Sequence, residues 1–149
     1  MPVFRNALLS FFAVGLLSPI AMAGTHTVTV FQCVNKNQKQ VNISLVNEQY
    51  IYQFGKLNQK PDIVITRKPE QLEGRYLNPK GDTGTAQIYE MDFRNGNYIY
   101  TISSSYFDSR HEAQVDVYQN DKLLTTVNCL PNTIVDNLSE HIFDLPSEH

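Results

Sequence analysis

The sequence predicts an all-β domain of about eight antiparallel strands, in a small barrel or sandwich, closed by one disulfide. Three observations carry this. Short runs rich in β-branched and aromatic residues alternate apolar with polar side chains, the period of a half-buried strand. Turn residues punctuate those runs roughly every 8–12 residues, the spacing of a sandwich or barrel. The only two cysteines, Cys33 and Cys129, stand at the ends of the first and last such runs.

The first residues set the compartment. Met1–Asn6 carries the single charge Arg5, Ala7–Leu17 is apolar, Ser18-Pro19 breaks any helix, and Ala21-Met22-Ala23 has the small-x-small form of a cleavage site. The apolar run is too short to cross about 30 Å of hydrocarbon as a helix. Residues 1–23 therefore read as a signal peptide and 24–149 as one exported domain, periplasmic or secreted. In an oxidising compartment two cysteines predict a structural disulfide, Cys33–Cys129, pinning the first strand to the last. Closing so long a loop is worth roughly 4–5 kcal/mol on the chain-entropy model. The chain of 149 residues has a net charge of −3, which argues against nucleic acid, since that calls for a basic face. No later stretch is long and apolar enough for a membrane span.

The strands follow in order. Thr27–Cys33 is first, then Lys39–Val46 with Val41, Ile43 and Leu45 on one face. Asn47-Glu48 turns into Gln49–Phe54, where Tyr50, Tyr52 and Phe54 share a face, and Asp62–Arg67 aligns Ile63 with Ile65. Lys68–Gly84, rich in Pro, Gly and charge, reads as a long irregular loop with a short strand at Arg75–Leu77. Thr85–Arg94 and Asn97–Ser104 flank Asn95-Gly96, a strong hairpin signal because both residues tolerate positive φ. Ala113–Gln119 and Lys122–Cys129 close the set around Asn120-Asp121. Thr133–Phe143 reads as a short helix with Thr133 as N-cap.

Motifs for chemistry are sparse. There is no Gly-x-Ser-x-Gly elbow, no phosphate-cradling glycine loop and no His-Glu-x-x-His helix. Of the histidines His26, His111, His141 and His149, only His111 lies well inside the chain, within the charged turn Asp108–Glu112. No metal or other cofactor is implied, and the chain reads as a non-enzyme. Tyr76 and Tyr106 fall beside loops, where an amphipathic ring suits recognition.

The layout resembles the small periplasmic lysozyme inhibitors of the MliC/PliC type. The likeness lies in the signal peptide, Phe31-Gln32-Cys33, the basic turn from Lys36 into a strand reaching Ile43, the all-β body and Val127-Asn128-Cys129. Tyr52-Gln53-Phe54-Gly55 with Pro61-Asp62-Ile63 is also similar to exported proteins of Gram-negative bacteria, some of which give immunity to secreted toxins. The resemblance implies a protein partner, a cell-wall hydrolase or toxin, whose active cleft is occluded by a loop. The loop would be Ser103–Tyr106 with the turn after it: Ser105, Tyr106, Arg110 and His111, seconded by Arg75, Tyr76 and Lys80. Two other readings stay open, a small-ligand-binding barrel lined by interior aromatics and a surface or adhesin-like structural protein.

Overall fold

The computed structural model describes residues 24–81 and 84–147, so the signal-peptide reading of residues 1–23 lies outside the described residues. Among the described residues eleven strands form two antiparallel sheets. The first sheet contains β1 (Thr27–Val34), β2 (Lys39–Val46), β3 (Gln49–Lys56) and β4 (Ile63–Arg67), with β11 (Val135–Asp136) beside β1. The second contains β5 (Leu72–Leu77), β7 (Gly84–Asn95), β8 (Tyr98–Phe107), β9 (Arg110–Gln119) and β10 (Lys122–Asn128), in the order β10-β9-β8-β7-β5. The two-residue β6 (Lys80–Gly81) pairs with β7. The sheets stack face to face as a sandwich, so the barrel alternative falls.

Alternation explains the core. Tyr50 and Tyr52 from β3, Val41 and Ile43 from β2, and Ile65 from β4 point inward. They meet Met91 and Phe93 from β7, Tyr100 and Ile102 from β8, and Val115 from β9. The Tyr52 ring lies 5.6 Å from Phe93 and 5.3 Å from Tyr100 between centroids, joining the sheets at their centre. A bulge at Val30 breaks the β1–β2 register between Thr29 and Phe31, so Val30 and Phe31 are both buried. Cys33 and Cys129 are bonded across a sequence separation of 96, tying β1 to the residue after β10.

Turn chemistry fixes the register. Asn47 and Glu48 (φ 48° and 62°) and Asn120 and Asp121 (φ 48° and 63°) make the two-residue turns read from sequence. The β7–β8 turn is displaced by one residue from the Asn95-Gly96 expectation. Asn95 pairs with Tyr98, leaving Gly96 (φ 62°) and Asn97 between them. In the observed register Phe93 stands opposite Tyr100 and Met91 opposite Ile102.

Two further expectations change. The loop read over Lys68–Gly84 holds a 3-10 turn at Pro69–Gln71 and the six-residue β5, which begins before the short strand expected at Arg75–Leu77. The reason is period-two patterning. Leu72 faces the core while Glu73 and Arg75 pair outward with partners on β7. The segment Thr133–Phe143 is helical only as 3-10 turns at 131–133, 138–140 and 142–144, interrupted by β11. Its backbone is recruited elsewhere: Asn137 N–H donates to the Val30 carbonyl, and Thr133 Oγ1 accepts from Val34 N–H instead of capping a helix. The segment thereby delivers Leu138 and Ile142 to the core, and Leu145 follows just beyond it.

Candidate functional site

The residues expected in a contact loop, Ser105, Tyr106, Arg110 and His111, sit on strands. β8 runs through Phe107 and β9 starts at Arg110, so only Asp108 (φ 52°) and Ser109 form the turn. The strands persist because their inward side chains are held. Tyr106 and His111 are cross-strand partners whose rings stack 4.1 Å apart at 10°. Ser105 pairs with Glu112 and, by alternation, projects from the opposite face. The structure therefore separates Ser105 from Tyr106 and His111.

What the hairpin does assemble is a polar cluster around Asp136 of β11. Its Oδ2 accepts hydrogen bonds from Ser104 Oγ and from Tyr106 OH (2.7 Å), and lies 3.2 Å from His111 Nε2. Its Oδ1 accepts the Leu138 N–H at 2.9 Å. Ser104 Oγ is also 2.8 Å from His111 Nε2. Serine, histidine and aspartate are thus together, but not in the order that activates a nucleophile. In that order the carboxylate backs one imidazole nitrogen while the hydroxyl meets the other. Here Ser104 and Asp136 share Nε2, and Ser104 is wholly buried. The arrangement is a clamp that fastens the C-terminal segment, paired to the first sheet, onto the second. Burial, reinforced by the bond to Asp136, pushes the Tyr106 hydroxyl above its ordinary value.

Arg75, Tyr76 and Lys80 likewise leave the expected loop. Arg75 lies on the outer face of the second sheet, where it grips Asp92 through two hydrogen bonds of 2.7 and 3.0 Å and Glu90 through a third of 3.0 Å. Asp92 is buried and also accepts from Thr101 Oγ1 at 2.7 Å. These bonds, Asp92's first, hold the Arg75 guanidinium protonated beyond even its usual range against the cost of desolvation. A guanidinium so occupied is a structural cation.

Tyr76 faces the other way and belongs to a row of rings crossing four strands. Phe143 and Tyr76 lie 6.0 Å apart, Tyr76 and Tyr89 5.1 Å, and Tyr89 and Tyr106 6.2 Å, after which His111 completes the row. Phe143 at its end is 69% exposed.

Lys80 is exposed on β6 at the far end of the second sheet. That end also carries the β8–β9 turn, because Ala86 pairs with Phe107 and the backbone at Gly84 passes against the Phe107 ring. Arg110 is exposed there, its guanidinium carbon 5.1 Å above the centre of the Phe107 ring. Two of the seven predicted residues, Lys80 and Arg110, are thus exposed cations at one end of the sandwich. Sequence reasoning missed Phe107, Ser104 and Asp136. Ser104 was recoverable, since alternation from Tyr106 puts 104 and not 105 on the face of His111.

Among the described residues no cluster of three or more His, Cys, Asp or Glu could hold a metal ion. No described helix is long and apolar enough to cross a membrane. Searches against protein-family models, curated proteins and solved structures return no match for this chain.

Proposed function

We propose that this chain is an exported binding protein that inhibits, or gives immunity to, a cell-wall hydrolase or secreted toxin by presenting the far end of its second sheet to the target's active cleft. One observation carries the reading. Arg110 stands at a two-residue turn on a hairpin whose inward face is locked by Asp136, so an exposed cation is held on a stiff support. Hydrolase clefts that work through carboxylates attract such a group, and a charge-assisted hydrogen bond in a water-excluded cleft is a strong one. Lys80 adds a second cation at the same end. The contact set read from the sequence narrows accordingly to Arg110 and Lys80, with Phe107 and the rim of Tyr106 as apolar support. Export fits the disulfide. The interior-ligand reading finds little room, because the space between the sheets is filled by Phe31, Tyr52, Phe93 and their neighbours.

The test is affinity capture from periplasmic and secreted fractions, followed by titration of the recovered enzyme. Arg110→Ala should weaken binding at least about tenfold while leaving the thermal midpoint in place. Equal affinity of Arg110→Ala and Lys80→Ala with the parent would sink the proposal for this end of the molecule.

A further inference from the structure

A sandwich of two open sheets has four lateral edges, and in this molecule they are treated unequally. On the first sheet, β11 is only two residues long. The β4 edge is bracketed by Pro61 and Pro69 and by the charges Asp62, Arg67 and Lys68. On the second sheet, the β5 edge is covered by the C-terminal segment. Gly74 N–H donates to the Pro146 carbonyl, and the Ile142 backbone lies against Gly74. Short strands, prolines, charges and covering segments are the usual means by which an edge is kept from pairing with another chain.

The β10 edge has little such protection. From Leu123 to Leu130 it carries no charge and no proline, and Leu123 and Leu124 are each half exposed. Asp121, Lys122 and a bulge between Leu123 and Thr125 stand at one end, and Pro131 and the Leu130 N–H bond to the Val34 carbonyl at the other. The β1–β2 turn with Lys36 and Lys39 lies across a groove from Thr125–Leu130, so the open stretch centres on Thr126 and Asn128. Backbone geometry shows which groups are free. Cys129 N–H donates to the Ala113 carbonyl, so Cys129 and Val127 face β9. By alternation the N–H and C=O of Thr126 and Asn128 point away from the sheet. Among the described residues they have no partner.

We propose that this edge binds a second copy of the chain, β10 against β10, antiparallel about a two-fold axis centred on Thr126. The choice of occupant rests on self-complementarity. In that register Thr126 meets Thr126 and exchanges both hydrogen bonds, and Leu124 stands opposite Asn128. Leu123 and Leu124 of one copy then approach Leu130 of the other. Lys122 falls opposite Leu130, so no like charges meet between the two β10 strands, a condition the charge-bracketed β4 edge does not offer. β10 pairs only as far along β9 as Gln114, which leaves the turn bearing Arg110 clear. The two copies would present their Arg110 ends in opposite directions.

The experiment is sedimentation equilibrium on the exported protein with its disulfide formed, up to about 100 µM, on the parent and on two variants. Thr126→Pro removes an outward N–H that β9 does not use, and proline is accepted on such an edge. Leu124→Lys puts a charge into the seam in place of an apolar side chain, the usual guard against edge pairing, and controls for a folding defect peculiar to proline. The parent should be dimeric, and each variant should raise the dimer dissociation constant at least about tenfold while unfolding cooperatively. A parent that stays monomeric throughout the range overturns the proposal. So do a dimer that persists in Leu124→Lys and assembly that continues beyond two copies, since one edge per chain closes on pairing.

Discussion

Gly74 sits directly beneath Ile142: a Cβ on Gly74 would stand 2.3 Å from the Ile142 carbonyl oxygen. The obstacle is backbone, so a methyl group cannot be accommodated by turning a side chain. Gly74→Ala should therefore displace the C-terminal segment and cost about 1–3 kcal/mol, read as a lower denaturant midpoint. Gly81, where a Cβ would meet nothing nearer than the Gly84 carbonyl at 3.6 Å, is the control. Gly81→Ala should leave the midpoint unmoved.

Asp136 gathers Ser104, Tyr106, His111 and the Leu138 N–H on one carboxylate. Asp136→Ala leaves a fully buried hydroxyl with His111 as its remaining partner and should cost about 2–4 kcal/mol. Ser104→Ala, which removes a donor without stranding a buried acceptor, should cost less. Equal losses from the two would mean that the carboxylate is not the hub.

Tyr52 and Tyr106 have hydroxyls held above the ordinary tyrosine value, both by burial first and Tyr106 also by its bond to Asp136. A group whose folded value is raised gives its full stabilisation below the unfolded value. That stabilisation declines as pH climbs beyond it. The denaturant midpoint should hold steady up to about pH 10 and fall above it. In Asp136→Asn, tyrosinate absorbance should appear at lower pH than in the parent. A midpoint flat through the alkaline range would contradict the assignment.

Arg75 and Asp92 form a deeply set ion pair on the outer face, with side chains 27% and 6% exposed. Arg75→Leu strands the buried carboxylate, which should cost about 1–3 kcal/mol, below the fully buried range because the arginine is partly solvated. Replacing both with leucine should recover part of that loss, as a double-mutant cycle of unfolding free energies would reveal. Target binding should be indifferent to Arg75, in contrast to Arg110.

The Cys33–Cys129 bond closes nearly the whole domain into one loop. Its reduction should lower unfolding free energy by about 2–4 kcal/mol, measured by urea titration with and without reductant.

Local pattern made most of the strands legible. Val41, Ile43, Tyr50 and Tyr52 betray their faces by alternation, and Asn47-Glu48 and Asn120-Asp121 betray their turns by residue type. β5 was obscured because Pro69, Pro79 and Gly81 surround a six-residue strand, one of whose inward positions is Gly74. Its inward signal thus reduces to Leu72 and Tyr76. The clamp was legible only in its β8–β9 half, where alternation places Ser104, Tyr106 and His111 on one face; its hub was not. Ser104 and Asp136 are 32 residues apart, and nothing within either neighbourhood encodes the other. The C-terminal helix failed for the same reason: the partners that recruit Asn137 and Thr133 are Val30 and Val34, about a hundred residues earlier.

The placement of Leu138, Ile142 and Leu145 in the core bears on when this chain can fold. Cys33 must wait for Cys129, β1 must wait for β11, and the core stays unsealed until residues 138–145 are in place. A chain ending before residue 138 would lack three of its buried apolar side chains, Leu138, Ile142 and Leu145. Closure of the disulfide and sealing of the core therefore both draw on residues beyond 128.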